Sequence, residues 1–506
     1  MTVERFGMTE ETDTQYIEFG EWGKLTMLAM LGLFEIAHLF FDSEESRNRK
    51  ASRMEYASTC KQWYEGYHPK PLKIKSGDYD DNILVNYCRP LIDDGVSWLW
   101  GRRETGVVGI RPIRNGVEEG ENEQITGALA TILKNSGGFN MLKKWGMRGS
   151  IAGHSYLKIL VKEGIEVKSL TPEDVSIVVL DPMLMDLRTD PTNEDQITAY
   201  SIQWNKEEKN SGGGIDKMVY RQLIIDVAGD GSAWAIGDFK SKDRLRKEWQ
   251  VVGGPWAWPW PWSPIVSGPN IEAPWGVFGY SDLEDITGLN SGINTAVSNY
   301  GKILRHHAHP KTVGTGFSAK EVEGTEIGTL WTVTNPEAKI KNLEMQTDLR
   351  SSLTFIGMLS GAFWNIGRGL DQAAYQQNVT NVTNFGLRVL ALKPLEKMED
   401  KRGTYGAMLR EVIVRSLEAA GIKIDEVRIE WPDPLPNNPT AVVDKLEKEI
   451  GMGLTSRETA STELGRTWDV EKERIVAEAK DLETLGEMFM KEFDRGAEGG
   501  ASAQEK

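Results

Sequence analysis

The run Gly253-Gly-Pro-Trp-Ala-Trp-Pro-Trp-Pro-Trp-Ser-Pro264 leaves the chain few choices. Proline removes a backbone donor, fixes its own φ and restricts the residue before it, so no helix passes through this segment and it must be extended or polyproline-like. Trp256, Trp258, Trp260 and Trp262 could form a stacking platform for sugars or bases, because aromatic faces bind both. The favoured reading is a proline-rich crossover whose indoles pack on the domain beneath or at a subunit boundary, since aromatic residues anchor interfaces more often than they mark a catalytic cleft.

The hydrophobic period differs on the two sides of this run. Before it, Val175 to Leu180 and Lys217 to Asp226 have the β-branched content of strands, and Ser211-Gly-Gly-Gly214 reads as a hairpin or loop, so the first half is predicted to be α+β. From Ser281, Leu283, Ile286, Leu289, Ile293, Val297, Tyr300 and Leu304 recur at three- and four-residue steps, the stripe of a long amphipathic helix. Ser281 followed by Glu284 predicts a capping box at its start. Gly288, Gly292 and Gly301 each weaken that helix by about 1 kcal/mol relative to alanine, which implies a close-packed neighbour. After His309-Pro310, Val313 to Leu343 reads as a small strand-and-turn module, and helical pattern resumes from about Asp348 to Trp364. A polar, uncharged tract, Gln372 to Asn384, leads to a second long helix that ends at Gly421. Ile424 to Trp431 reads as one more strand. Three short helices follow, with predicted caps at Thr440, at Thr455 with Glu458, and at Asp469, and the tail 496–506 is expected to be disordered.

The 506 residues are enough for two to four domains. Lys and Arg number 59 against 75 Asp and Glu, a net charge of -16, which argues against a sequence-reading nucleic-acid binder built on basic patches. With only Cys60 and Cys88, neither a disulfide framework nor a four-cysteine zinc site is possible. The apolar stretch Leu25 to Phe41 is short for a bilayer span and interrupted by Glu35 and His38, so a buried helix is expected there and no membrane association. The acidic residues before it do not resemble a secretory signal, and a cytoplasmic, unprocessed chain is expected.

Catalytic chemistry is hard to find. Gly23-Lys24 and Gly301-Lys302 are followed by Leu25 and Ile303, so neither is a phosphate-binding loop, and no Gly-x-Ser-x-Gly elbow occurs. His306, His307 and His309 are the best metal candidates, but adjacent helical residues point about 100° apart, and a helix-end role is the better reading. No enzyme activity and no cofactor are expected.

Three stretches carry a family resemblance. Trp63-Tyr-Glu-Gly-Tyr-His-Pro69 with Asn86-Tyr-Cys-Arg-Pro-Leu-Ile-Asp93 and Trp98-Leu-Trp-Gly101 resembles the opening of siphovirus-type phage portal proteins. Gly149-Ser-Ile-Ala-Gly-His-Ser-Tyr-Leu-Lys158 is similar to that family's next helix-to-strand passage, and Pro264-Ile-Val266 with Gly279-Tyr-Ser-Asp-Leu-Glu-Asp-Ile286 to its strand and stem-helix start.

The resemblance implies an α+β portal fold with an α/β wing over 1–252, the Trp/Pro crossover over 253–280, stem helices over 281–309 and 347–364, and a β-rich clip over 310–346. A tunnel loop over 365–384, a long helix and wing strand over 385–439, and a helical crown over 440–495 would complete it. It further implies a dodecameric ring at a capsid vertex through which double-stranded DNA is packaged and ejected without sequence specificity. The implied partners are the large terminase subunit, scaffolding and major capsid proteins, and a head-completion adaptor. Ser281, Asp282, Leu283, Glu284 and Ile286 would begin the stem, and Phe317, Lys320, Glu321 and Glu323 would dock terminase. Gln372, Gln376, Gln377, Asn378, Thr380, Asn381, Thr383 and Asn384 would line the channel. The competing reading is a carbohydrate-binding or carbohydrate-active protein using the tryptophan run.

Overall fold

The computed structural model describes residues 24–77, 79–102, 106–114, 117–118, 123–209, 214–242, 248–308, 311–316, 337, 339–343, 349–371, 386, 388–389, 391–434, 439–468 and 470–478. The chain divides into two units, Met1–Pro434 and Leu435–Lys506.

The first unit is α+β, as the sequence predicts. Helices α1 (Lys24–Phe41) and α2 (Glu44–Glu65) are separated by Ser43, whose side chain accepts the Ser46 N–H at 3.2 Å and so satisfies one orphan donor of α2. Helices α3 (Cys88–Trp100), α4 (Glu123–Asn135) and α5 (Phe139–Ala152) build the main core. A Cβ at Gly146 would lie 2.6 Å from the indole nitrogen of Trp100, so only glycine lets α3 and α5 approach this closely. That approach brings the buried rings of Trp100 and Trp145 within 5.2 Å. Short strands β1 (Gly101–Arg102) and β2 (Gly106–Val107) pair after α3, and β3 (Gly109–Arg114) pairs with β4 (Val117–Glu118).

Strand β5 (His154–Val161) pairs antiparallel with β6 (Val175–Val179), the strand read from Val175 to Leu180. A five-stranded antiparallel meander follows: β7 (Met185–Thr189), β8 (Ile197–Lys209), β9 (Ile215–Asp226), β10 (Trp234–Ser241) and β11 (Gln250–Ala257). The glycine-rich break does join a hairpin, since Lys209 of β8 pairs with Ile215 of β9. The period-two alternation of the strands gives this sheet two faces. Tyr200, Ile202, Ile224 and Trp234 turn to one side and pack with Tyr156, Met185 and Leu187. Ala199, Leu223, Ile225, Ala235 and Phe239 turn to the other and pack under Phe34, Ala37 and Phe41 of α1. The Leu25 to Phe41 stretch is therefore helical, but it is not a fully buried helix: Leu39 is 74% exposed and Ile36 54%. No helix of the described residues is long and apolar enough to cross a membrane.

The tryptophan run is not helical, as its prolines require, but it is extended only as far as Ala257 and bends over residues 259–262. Its first part is edge strand β11, so the crossover expected from residue 253 begins inside the sheet. Trp260 and Trp262 then stack at 5.3 Å and are both buried, and the Trp262 indole donates to Glu418 Oε2 at 2.8 Å. Their faces are spent on each other and on the core beneath. Strand β12 (Ile265–Pro269) returns the chain to β5.

Helix α6 (Thr287–Ala308) leads to β13 (Lys311–Thr315), which pairs antiparallel with β14 (Lys339–Leu343), and helix α7 (Leu349–Ile366) follows. The long helix α8 (Leu392–Ala419) runs through the core. It ends as predicted: Gly421 sits at φ +78, and the Ile422 N–H reaches back to the Leu417 carbonyl at 2.9 Å. Strand β15 (Glu426–Glu430), predicted within Ile424 to Trp431, pairs with β3.

In the second unit, α9 spans Pro439–Gly451 and α10 spans Arg457–Glu463. The cap of α10 is Ser456, which accepts the Thr459 N–H at 3.1 Å, rather than the predicted Thr455. Thr455 instead donates from the connecting turn back to Glu449 Oε2 of α9 at 3.1 Å. Helical backbone resumes over 470–478; Asp469 and 496–506 lie outside the described residues.

Candidate functional site

The backbone around α6 concentrates the unit's buried polar groups. The predicted stem start does not form a capping box. Residues 282–286 make turns, and the helix begins only at Thr287. The two box residues have long-range partners instead. Ser281 Oγ donates to the Ser150 carbonyl of α5 at 3.0 Å, while Glu284 Oε2 accepts from the Tyr56 hydroxyl of α2 at 3.0 Å. Leu283 and Ile286, both buried, anchor the turns in the main core.

Between them Asp282 is buried in an ion cluster. Lys401 Nζ lies 2.6 Å from Asp282 Oδ2 and Lys397 Nζ 3.4 Å from Oδ1, with Asn270 Nδ2 donating to Oδ1 at 3.0 Å. Lys401 and Lys397 stand one turn apart on α8, so one helix face presents both ammonium groups. Lys401 also donates to Ser150 Oγ at 2.8 Å, Lys397 to the Gly367 carbonyl at 3.0 Å, and the Tyr405 hydroxyl to Asn270 Oδ1 at 3.0 Å. The cluster thereby ties the turn before α6 and the residue after α7 to α8 and α5. Gly279, in the Gly-Tyr-Ser-Asp stretch, has no room for a side chain: a Cβ there would meet Pro269 at 2.5 Å and the Gly153 carbonyl oxygen at 2.8 Å.

Burial works against ionising Asp282, yet the charges of Lys397 and Lys401 and the hydrogen bonds from Lys401 and Asn270 outweigh it. The carboxyl is held well below the usual carboxylate range. Burial likewise pulls Lys397 down to about 8, against the attraction of Asp282. Breaking such a cluster on one side strands a buried charge, which is more costly than the intact pair is favourable.

A second polar feature runs along α6. Asn290, Asn294 and Ser298, spaced by four, share one helix face and bind an extended segment through its backbone. Ser298 Oγ accepts the Ile83 N–H at 2.9 Å, Asn294 Oδ1 the Val85 N–H at 2.8 Å and Asn290 Oδ1 the Tyr87 N–H at 3.1 Å. Asn290 Nδ2 returns a bond to the Val85 carbonyl at 2.8 Å. Gly301 continues this face, where a Cβ would come 2.8 Å from Ile83 Cδ1. The implied close neighbour of the α6 glycines is thus, at Gly301, this segment. Sequence reading missed both features, although two signals were present: polar residues at four-residue steps beside the apolar stripe, and two lysines one turn apart in a helix that also carries Leu395, Met398 and Leu409.

The other predicted site residues are less visible. Phe317, Lys320, Glu321 and Glu323 lie outside the described residues, as do Gln372, Gln376, Gln377, Asn378, Thr380, Asn381, Thr383 and Asn384. The backbones of His306 and His307 fall in the last turn of α6, His309 is outside the described residues, and no group of three or more potential metal ligands occurs among those described.

What the site defines is a structural joint: an ion cluster whose atoms are engaged with one another, holding two helices that flank a β hairpin. The chain matches the family model described as phage portal protein, SPP1 Gp6-like, over residues 46–488, and it belongs to that family. The family's role is structural, and it places the chain at the capsid vertex of a phage particle. Among solved structures, the chain is similar to one from the neck of an empty GTA particle computed with C6 symmetry. The identity is 14%, the match covers 74% of this chain and 88% of that one, and the TM-score is 0.43. No curated protein sequence matches.

Proposed function

We propose that this chain is one subunit of a twelve-membered ring that forms the channel for double-stranded DNA at a capsid vertex, serving packaging and ejection. In that reading residues 1–252 are the wing, α6 and α7 the stem, 310–346 the clip, 365–384 the tunnel loop and 440–495 the crown. The observation that carries it is α7. This helix fully buries only Phe363 and exposes Phe355, Met358 and Ile366 along one face, with Leu353 exposed on the opposite side, apolar surface of the kind that neighbouring copies cover in a closed ring. The net charge of -16 supports a conduit, because like-charge repulsion keeps a polyanion of one charge per roughly 1.7 Å from adhering to the walls. The clip, with Phe317, Lys320, Glu321 and Glu323, is the docking surface for the large terminase subunit and later for head-completion proteins. Scaffolding and major capsid proteins contact the ring from outside.

Native mass spectrometry tests the ring directly. Twelve copies of 56.6 kDa give a particle of roughly 0.7 MDa, and a chain that stays monomeric or dimeric at micromolar concentration overturns the proposal. The tunnel loop has its own test. Replacing Gln376, Gln377 and Asn381 with lysine leaves procapsid assembly intact but slows packaging, more at low salt, because each added phosphate contact steepens the salt dependence by about one unit.

A further inference from the structure

Residues 66–77 and 79–87 form an arm laid along α6. It leaves α2 at Gly66, reaches the last turn of α6 and returns to the start of α3. Its two legs are tied by Lys70 to Asp80 at 2.7 Å and by the Leu72 N–H, which donates to Asn82 Oδ1 at 2.8 Å. The returning leg follows α6 in reverse. Tyr79 lies under the Arg305 guanidinium at 4.9 Å and Asp81 pairs with Arg305 at 2.5 Å, ahead of the bonds from Ile83, Val85 and Tyr87 to Ser298, Asn294 and Asn290. Although held at so many points, this leg leaves Tyr79, Ile83 and Leu84 exposed.

The arm and α7 grip different sides of α6. A Cβ at Gly292 would come 4.0 Å from Leu359 Cδ1 of α7. Successive residues of a helix turn by about 100°, so Gly292 stands about 160° around the axis from both Asn290 and Asn294, which hold the arm. At its base the arm does reach α7, through Tyr87 against Phe363 and Trp364. Further out, α6 stands between them.

Their exposed apolar side chains nevertheless lie level. α6 and α7 run antiparallel, since Gly292 faces Leu359 while a Cβ at Gly367, just past α7, would lie 3.5 Å from Ile286 Cδ1, just before α6. Phe355, one turn beyond Leu359, is therefore level with the stretch of α6 between Asn294 and Ser298. That is where the arm places Leu84, between Ile83 on Ser298 and Val85 on Asn294.

We propose that the arm of one copy is the seat for α7 of the next copy, with Phe355 and Met358 packed on Ile83 and Leu84. Cyclic symmetry repeats every copy at one height along the ring axis, so a head-to-tail contact needs two different faces at the same level on opposite sides of the subunit. The arm and the exposed flank of α7 meet that condition, and both are apolar, as the buried centre of a subunit interface is. The contact rests on the ring reading with α6 and α7 as the stem, and it names the surface that covers α7.

Cross-linking in the full chain tests it. A chain carrying Leu84→Cys is mixed with one carrying Phe355→Cys, assembled, treated with a short bis-maleimide and run on a denaturing gel, so that a Leu84→Cys to Phe355→Cys link joins two copies by construction. Leu353→Cys, on the other side of α7, replaces Phe355→Cys in the control, and each variant treated alone gives the background from Cys60 and Cys88, both buried. All three substituted positions are exposed, so melting temperatures stay at the unmodified value. The first mixture gives about fivefold or more cross-linked dimer than the control, because only thiols held together at an interface see a raised effective concentration. Native mass spectra are recorded on the same samples. Rings whose cross-linking does not exceed the control overturn this contact and leave the ring reading standing, whereas chains that form no ring overturn both.

Discussion

Helices α7 and α8 meet at the same ion cluster and have opposite fates. α8 carries glutamates, lysines and arginines along its length, yet it buries Tyr405, Leu409, Val412, Ile413 and Leu417, and even Lys401. α7 is richer in apolar residues and buries one of them fully. Apolar content therefore does not report how deep a helix lies within its own chain. α8 is amphipathic toward partners inside the fold, with its charged face outward or paired. The apolar face of α7 finds too few partners within one subunit, and under the proposed function the missing ones belong to the next copy.

Substitutions at the two ends of this contrast sharpen it. Asp282→Ala leaves Lys397 and Lys401 buried without their carboxylate, and the expected loss is about 3–5 kcal/mol in urea unfolding of the chain. A loss below about 1 kcal/mol would place the cluster among surface ion pairs and erase the distinction between the helices.

Acid attacks the inside of the fold on a different scale. His38 and His154 are buried, and burial, aided by Arg221 and Arg53 respectively, lowers both pKa values to about 3 from 6.5. Each is neutral when folded and takes a proton when unfolded below pH 6.5. Stability is therefore full above that value and falls as pH drops toward 3, with a slope of up to about 1.4 kcal/mol per pH unit for each histidine. Asp282 adds its own loss only below the ordinary carboxylate pKa. Urea midpoints measured from pH 7 to 4 check the histidine part, and His154→Gln flattens the slope by about half.

The smallest effect on the single chain belongs to α7. Met358→Ser, at a residue 61% exposed, changes monomer stability by less than about 0.5 kcal/mol, while the proportion of rings in native mass spectra falls sharply. Unchanged ring formation would mean that the apolar face of α7 is covered by something other than a neighbouring copy.

Much of the fold was legible from local pattern. The hairpin around Ser211-Gly-Gly-Gly214, the strand from Val175, the helix from about residue 348 and the glycine end of α8 all follow from period and cap chemistry, which act over a few residues. The failures share one cause. Ser281 and Glu284 have the spacing of a capping box, but the Ser281 hydroxyl accepts the Leu283 N–H at 3.1 Å while donating to the Ser150 carbonyl, and the Glu284 carboxylate is taken by Tyr56, more than two hundred positions away in sequence. Thr455 gave way to Ser456 because Glu449 holds its hydroxyl. The Asp282 cluster was half legible. Asp282 stood in a recognisable stretch, whereas Lys397 and Lys401 have the same local appearance as the solvated lysines of any helix.

The side chains that bind residues 83–87 to α6 have a mechanical meaning. A segment held by Asn290, Asn294 and Ser298 through its own N–H groups is fastened at three points along more than two turns of helix. Any sway of α6 about the turns at 282–286 must drag that strap or shear its bonds together, as a cleat loads a rope. The strap runs directly into α3, so load applied far out on the helix reaches the core by a second route that bypasses the Asp282 cluster.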